Sequence, residues 1–397
     1  MIRAALIGIS GYGRWHLLML AEQALLGRVR LVAATVINQD TEAGLCARLR
    51  THGVALYPDH ETMLAALAGR IDLVLIPTGI HHHASMALAA LRAGAHVLVE
   101  KPLAATLAEA DAITAAAHAA DRLVAVGFQD LCPPFVRELK QRLLDGELGT
   151  LRRLVVSAHW PRPVAYFSRN PWAGRLRLGS HNEHWVLDSL VNNACAHFLM
   201  LALYWAGPAL DEAAEPAAIE GLLLRTHAIE TFDTASVVLC TPDGPAIEFH
   251  GTHCGALDLP PEVRVYGDRG ELTWTYERTC TFQRHGHAPL VQPVPDQLAT
   301  RLLVLENLLE RLADRPAFIV TPELARAHTR VVNALHAGLP IHSLPGISRR
   351  EIAGEFHVVP GLDEALAQAA QAGRPLSADL LPGCPTTPDT APFPSRA

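Results

Sequence analysis

Gly8-Ile9-Ser10-Gly11-Tyr12-Gly13 is the first stretch whose residue types and spacing suit chemistry. It follows an apolar run that reads as a strand and precedes a stretch that reads as a helix. A glycine-rich turn in that place brings backbone N–H groups and a helix N-terminus against a pyrophosphate, and small residues let the phosphates approach closely. Gly8, Ser10, Gly11, Tyr12 and Gly13 are therefore candidate cofactor residues. The spacing departs from a strict GxGxxG, because Ser10 holds the second glycine position and Gly11 is extra. The acidic residue expected at the end of the second strand, where it would bind an adenosine ribose, is missing. Val36 and Ile37 stand there, which leaves Asn38 or Asp40 to compensate. No arginine follows directly to receive a 2′-phosphate, so NAD is expected rather than NADP.

Other reactive residue types are scattered. Of 33 basic residues only Lys101 and Lys140 are lysines, a bias that a GC-rich genome produces but that singles out both. Among the 21 histidines, His81, His82 and His83 begin a helix, so they point in different directions and cannot share one ion. His250, His253 and Cys254, like His285 with His287, have loose ligand-like spacing at strand ends and are expected to be core or surface groups. No metal site is expected. The seven cysteines form no CxxC pair and read as reduced thiols, which with no signal peptide favours the cytoplasm. A net charge of -7 without a basic run argues against nucleic acid. No apolar stretch reaches the length of a membrane span.

The elements that must position these residues change rhythm along the chain. Strand-like runs at Arg3–Ile7, Arg30–Thr35, Ala55–Tyr57, Leu73–Ile76, Val97–Val99 and Leu123–Val126 alternate with Ala/Leu-rich helical stretches. That pattern predicts βαβ units and an α/β Rossmann fold, a doubly wound parallel sheet, over residues 1–130. Beyond it, a helix over Phe135–Leu144 precedes six β-like runs between residues 154 and 276, separated by turns such as Pro242-Asp243-Gly244. An α+β C-terminal domain with a mostly antiparallel sheet is expected over 131–378. It includes a helix from about Ser189 to Trp205, and helices follow near 298–313 and 322–336. The proline-rich tail 379–397 is expected to be disordered.

Leu73-Val74-Leu75-Ile76-Pro77-Thr78, then His83, then Ala93-Gly94-Ala95-His96-Val97-Leu98-Val99-Glu100-Lys101-Pro102 resembles the Gfo/Idh/MocA oxidoreductases. That family shows a threonine-proline-asparagine turn, a histidine, and an alanine-glycine-lysine-histidine-valine run ending in Glu-Lys-Pro. Val126-Gly127-Phe128-Gln129 and Tyr266-Gly267-Asp268-Arg269-Gly270 extend the likeness, which reaches to about residue 340. It implies that Thr78, His83, Glu100 and Lys101 line the cofactor, and that Lys101 sits by the nicotinamide and the substrate hydroxyl. Oxidising a secondary alcohol needs a proton removed as hydride leaves, a task for a tuned amine or imidazole. Pro102 fixes the turn, as a cis peptide.

The resemblance also implies an aspartate four residues before a histidine on a helix lining the pocket. Here Asn193 stands four before His197, and i, i+4 spacing puts both on one helical face. His197 becomes the acid/base partner of Lys101 and Asn193 an orienting amide, with Asp188 and Asn192 supplying further contacts. Arg169 and Trp172, upstream, suit a polyol face. The implied activity is NAD-dependent hydride transfer to or from a sugar, inositol or related polyol, by a homodimer or homotetramer. Two alternatives stay open because both acidic residues are replaced. One is a redox-neutral enzyme with tightly bound NAD, an epimerase, eliminase or glycosidase; the other is a non-catalytic sensor on the same fold.

Overall fold

The apolar runs of the N-terminal third are buried on both sides, and that burial sets its architecture. In the computed structural model, which describes residues 1–393, the chain divides into two compact units. One contains Met1–Pro133 with Gln297–Arg326; the other contains Pro134–Asp296 and the chain from Ala327 onward. The segment 297–326, assigned from sequence to the C-terminal domain, thus belongs to the first unit. Its helical stripe explains why: Val304, Leu305, Leu308 and Leu309 are buried in one core with Leu6, Leu75 and Leu98.

The first unit alternates β1 Ile2–Ile7, α1 Gly13–Leu25, β2 Val29–Thr35, α2 Ala43–Thr51, β3 Ala55–Tyr57, α3 His60–Leu67, β4 Leu73–Ile76, α4 Ile80–Arg92, β5 His96–Val99, α5 Leu107–Ala120 and β6 Val124–Val126. The sheet order is β3-β2-β1-β4-β5-β6 with every pair parallel, the doubly wound arrangement read from sequence. Every side chain of β4 is buried, so neither face meets water, as parallel sheets require. The order reverses between β1 and β4, and a crevice opens at such a switch point beyond the carboxyl ends of the strands. Asp59 caps α3 by accepting from Thr62 N at 2.7 Å, and Thr106 with Glu109 forms a capping box on α5.

The second unit opens with α6 Pro134–Leu144 and β7 Leu151–His159, then the short strands β8 Arg177–Leu178 and β9 His184–Trp185, and α7 Ala196–Trp205. β10 Ala218–Arg225, β11 Thr234–Cys240, β12 Ala246–Thr252, β13 Glu262–Gly267, β14 Gly270–Thr275, β15 Thr279–Arg284 and β16 Leu290–Pro293 follow. After α8 Gln297–Leu312 in the first unit and α9 Pro322–Gly338, which runs from one unit into the other, come β17 Ile341–Ser343, β18 Ile347–Glu351, β19 Gly354–Val358, α10 Leu362–Ala372 and β20 Asp389–Pro392. The large sheet runs β16-β15-β14-β13-β7-β12-β11-β10-β17, with β20 also on β10. Only β7 with β12 and β10 with β17 pair parallel, so it is mostly antiparallel, as expected.

Two expectations fail here. The helix foreseen from Ser189 begins at Ala196, because the paired asparagines before it spend their amides on nearby backbone and side-chain oxygens instead of continuing a helix. The tail foreseen as disordered contains a strand. β20 pairs with Ala218–Gly221 while β17 covers Leu223–Arg225, so the two share one edge of β10. Proline suits such an edge, where its missing N–H costs no ladder bond. Residues 394–397 of that tail lie outside the described residues. α10, unforeseen, buries Leu362, Ala365, Leu366 and Ala369 in a core with Leu222 and Leu376. No helix among the described residues is long and apolar enough to cross a membrane.

Candidate functional site

The glycine turn sits at the carboxyl end of β1, as its sequence context predicts. Gly8 and Gly11 adopt φ of 92° and 54°, values that L side chains rarely take. Gly13 needs to be glycine for a different reason: a Cβ there would lie 2.3 Å from the Gly8 carbonyl oxygen. Gly13 N donates to Ser10 O at 2.9 Å, closing the turn as α1 begins. Ser10 and Asn38 hydrogen-bond through their side chains at 3.1–3.3 Å, which links the turn to the end of the second strand. Beside them opens a cavity of about 500 Å³ whose walls include Gly8, Ser10, Asn38 and Thr78 along with apolar Val36 and Met86. Asp59, His60 and His82 also line it, residues that sequence reasoning passed over. Apolar walls for a flat base, an amide and a hydroxyl for a ribose, and a turn too tight for a Cβ fit a dinucleotide.

The turn after β5 is held from several sides. Glu100 Oε1 pairs with His16 Nε2 at 3.0 Å, and Glu100 Oε2 accepts from Lys101 N at 3.2 Å. A Cβ on Gly127 would lie 2.9 Å from the Glu100 carboxylate, so the end of β6 is shaped around that side chain. The Lys101–Pro102 peptide is cis. His83 does not line the cavity. It is buried, with Nδ1 2.7 Å from Pro102 O and Nε2 3.1 Å from Thr78 O, and burial pushes its pKa down. It braces one turn against the other, the turn of Thr78 and the turn of Lys101. Tyr12 donates to Gln129 Oε1 at 3.3 Å and accepts from Arg301 Nε at 3.0 Å. Burial raises the Tyr12 phenol pKa above its usual value, so it stays a neutral donor. His16 and Arg301 were not foreseen. His16 lies three residues past Gly13, a weak signal; Arg301 comes from α8 and had none.

In the second unit Asp188 is the organising group. Its Oδ2 accepts from Gly174 N at 2.7 Å and its Oδ1 from Asn193 Nδ2 at 2.8 Å. Asn193 precedes α7, so it does not share a helical face with His197 as the i, i+4 spacing predicted. Asn192 is 1% exposed and spends its amide N–H groups on Val186 O and Leu187 O, which removes it from surfaces open to a ligand. His197 lies in the first turn of α7 and is 9% exposed. Arg169 stacks 3.6 Å over the Tyr166 ring and 5.3 Å from that of Trp172, which forms an aromatic and guanidinium cluster. Two histidines of α9 support the Ser189–Asn193 turns: His328 Nε2 reaches Val191 O at 2.9 Å, and His336 Nε2 meets Ser189 Oγ at 3.2 Å. Burial holds the His336 pKa at about 3, so it is neutral. Sequence spacing alone gave no hint of this brace.

Comparison with known proteins finds similar sequences and folds. Residues 2–128 match the GFO_IDH_MocA family, described as an oxidoreductase family with an NAD-binding Rossmann fold. The chain is 26% identical over 244 residues to an inositol 2-dehydrogenase/D-chiro-inositol 3-dehydrogenase of Halalkalibacterium halodurans, covering 61% of this chain and 62% of that one. It spans 62%, 36% and 43% of the lengths of three curated relatives it matches. Among solved structures, the WlbA dehydrogenase from Bordetella pertussis, in complex with NADH and UDP-GlcNAcA, superposes with a TM-score of 0.68 at 19% identity, covering 85% of this chain and 95% of that one. An inositol dehydrogenase homolog from Azotobacter vinelandii, complexed with NADH and myo-inositol, gives 0.66 at 21% identity, over 84% and 93%. At such identities the superpositions speak to the fold.

Proposed function

Residues 2–128 of this chain match the Gfo/Idh/MocA oxidoreductase family, and from that premise we propose that it transfers a hydride between NAD and a secondary alcohol of a sugar, inositol or related polyol. The observation that carries the reading is a pair of turns at the carboxyl ends of parallel strands, the first of them at the switch point of the sheet. A Cβ-intolerant glycine turn ends β1, and a Glu-Lys-Pro turn pinned by His16 and His83 ends β5. Gly8, Ser10, Gly11, Tyr12 and Gly13 would hold the pyrophosphate, while Asn38 would serve the adenosine ribose and Thr78 the cavity wall. NAD, when bound, supplies the hydride acceptor for the alcohol.

The residues do the rest. Lys101 binds the substrate hydroxyl and takes up its proton as the carbonyl forms. Glu100, fixed on both oxygens, holds the backbone of the lysine in place. We assign His197 an acid/base role and the Asp188–Asn193 pair, Arg169 and Trp172 roles in polyol recognition. NAD is preferred to NADP because no arginine directly follows β2 in the chain to meet a 2′-phosphate, while Asn38 offers the ribose an amide in place of a carboxylate.

The test is direct. Titration of intrinsic fluorescence should give NADH binding a few-fold tighter than NADPH, a difference of about 1 kcal/mol or less. A screen of inositols and sugars with NAD should then identify a substrate by absorbance of NADH. Lys101→Ala should lower kcat by roughly 10²–10⁴ while leaving NADH affinity within a few-fold, the scale of a lost acid/base group. Absence of binding by either cofactor would overturn the proposal, and an undiminished kcat in Lys101→Ala would overturn the role of the lysine.

A further inference from the structure

At one end of the large sheet, against the loop that carries Arg169 and Trp172, three ligating side chains of different kinds converge; the Phe167 ring of that loop lies 4.5 Å from the His227 ring, and Thr231 Oγ1 donates to Asp188 O at 2.6 Å. His227 and Asp233 lie in the connection between β10 and β11, and Cys254 lies just past the end of β12. The antiparallel register places the ends of these strands side by side, with Thr234 opposite Thr252. One donor atom from each residue lies within 4.8 Å of the other two. His227 Nδ1 is 2.9 Å from Asp233 Oδ2 and 3.4 Å from Cys254 Sγ. All three residues are buried, Asp233 and Cys254 completely.

From this juxtaposition we propose that His227 Nδ1, Asp233 and Cys254 Sγ form a binding site for a divalent cation of the zinc class. Around a tetrahedral zinc ion, neighbouring nitrogen, oxygen and sulfur ligands stand about 3.3–3.6 Å apart, given metal distances of about 2.0–2.3 Å. The two separations from His227 Nδ1 are within a few tenths of an ångström of that, and the Asp233 oxygen and Cys254 sulfur lie within 4.8 Å of each other. Sulfur, imidazole and carboxylate together are a donor set suited to zinc rather than to magnesium or calcium. The carboxylate is also oriented for the task, since Asp233 accepts from Thr226 N at 3.1 Å and His227 N at 2.7 Å. Such outer hydrogen bonds fix a ligating carboxylate before the metal arrives.

The same geometry argues against a nucleophilic triad. In a triad the nucleophile and the carboxylate use opposite ring nitrogens of the histidine. Here both gather on Nδ1, where a single proton can serve only one of them, whereas Nε2 is buried with no hydrogen-bond partner. A cation between the three atoms engages all of them at once. Charge balances on binding: the thiol proton leaves to solvent, the imidazole proton resides on Nε2, and thiolate plus carboxylate offset the two positive charges. The site would fasten the sheet end to the C-terminal segment, because Cys254 O accepts from Val359 N at 2.9 Å and Thr226 Oγ1 donates to Leu344 O at 2.9 Å.

The experiment uses the untagged full chain, stripped with a chelator and titrated with Co²⁺ and then Zn²⁺. One tightly held equivalent of Co²⁺, with a near-ultraviolet thiolate-to-cobalt charge-transfer band that Zn²⁺ abolishes, supports the proposal. Cys254→Ser should lose that band, and Asp233→Asn should weaken Zn²⁺ binding by at least about tenfold, as losing one member of a ligand set does. Should either variant fail to fold, X-ray absorption on the wild-type zinc complex decides: one sulfur at about 2.3 Å with nitrogen or oxygen neighbours supports the site. Less than a tenth of an equivalent bound, a zinc shell without sulfur, or a cobalt band that persists in a folded Cys254→Ser variant overturns it.

Discussion

Lys140 is the other lysine of this chain, and its surroundings differ from those of Lys101. It is fully buried on α6, its Nζ bonded to Glu212 O and 4.0 Å over the Tyr204 ring. Desolvation, only partly offset by Asp211, holds its pKa at about 7 against an ordinary 10.5. Between those values the unfolded chain binds more protons than the folded one, so stability rises with pH from about 7 to 10.5. Below pH 7 the full cost of a buried ammonium is present. Lys140→Met should therefore be more stable than the wild type at pH 6, on the order of 2 kcal/mol, and lose that advantage near pH 10. Urea unfolding at the two pH values checks this; a difference that ignores pH would mean that the amine stays charged throughout. A lysine count from sequence drew attention to Lys140, but only packing shows that it is a core residue.

At the scale of elements, the glycine turn makes the sharpest statement. Its strand-turn-helix context was readable from residues 3–13, and the turn lies where that context put it. What spacing left open was which glycine is indispensable. Gly13→Ala would drive a methyl group to 2.3 Å from the Gly8 carbonyl and displace the turn. The expected outcome is at least about a tenfold loss of NADH affinity with the far-ultraviolet circular dichroism unchanged, because one strained turn does not unfold a sheet buried on both faces. The helix carrying His197 shows the reverse case. Helical periodicity continues through Ser189–Cys195, and nothing in the spacing stops it. Asp188, Val186 and Leu187 stop it by capturing the Asn192 and Asn193 amides, which needs the loop before the helix to fold back.

Across the whole molecule, the C-terminal segment is more integrated than its composition implied. His342 Nε2 meets Asp389 Oδ2 at 2.7 Å, Phe393 N donates to Ala217 O at 2.9 Å, and the Arg330 guanidinium lies 4.6 Å over the Phe393 ring. A chain ending at Thr387 would lose β20 and bare the edge Ala218–Gly221. Its melting temperature should fall by roughly 3–8 °C, the shift that one to a few kcal/mol produces in a chain of this size. NADH affinity should stay within a few-fold, since the residues proposed to hold NAD lie in the other unit. Differential scanning calorimetry with a binding titration checks both halves.

Local residue order determined the parallel sheet, the turns that end β1 and β5 and the place of Lys101 in the second of them, because apolar runs of period and length fit for strands, glycines at a strand end and a proline after Lys101 act over a few neighbouring residues. The tertiary structure alone decided the rest. It returned Gln297–Arg326 to the first unit, set His16, His83 and Arg301 behind the turns, and brought His227, Asp233 and Cys254 together across 27 positions. Such contacts depend on which strands become neighbours and which buried polar groups find partners, and neither is written in local spacing.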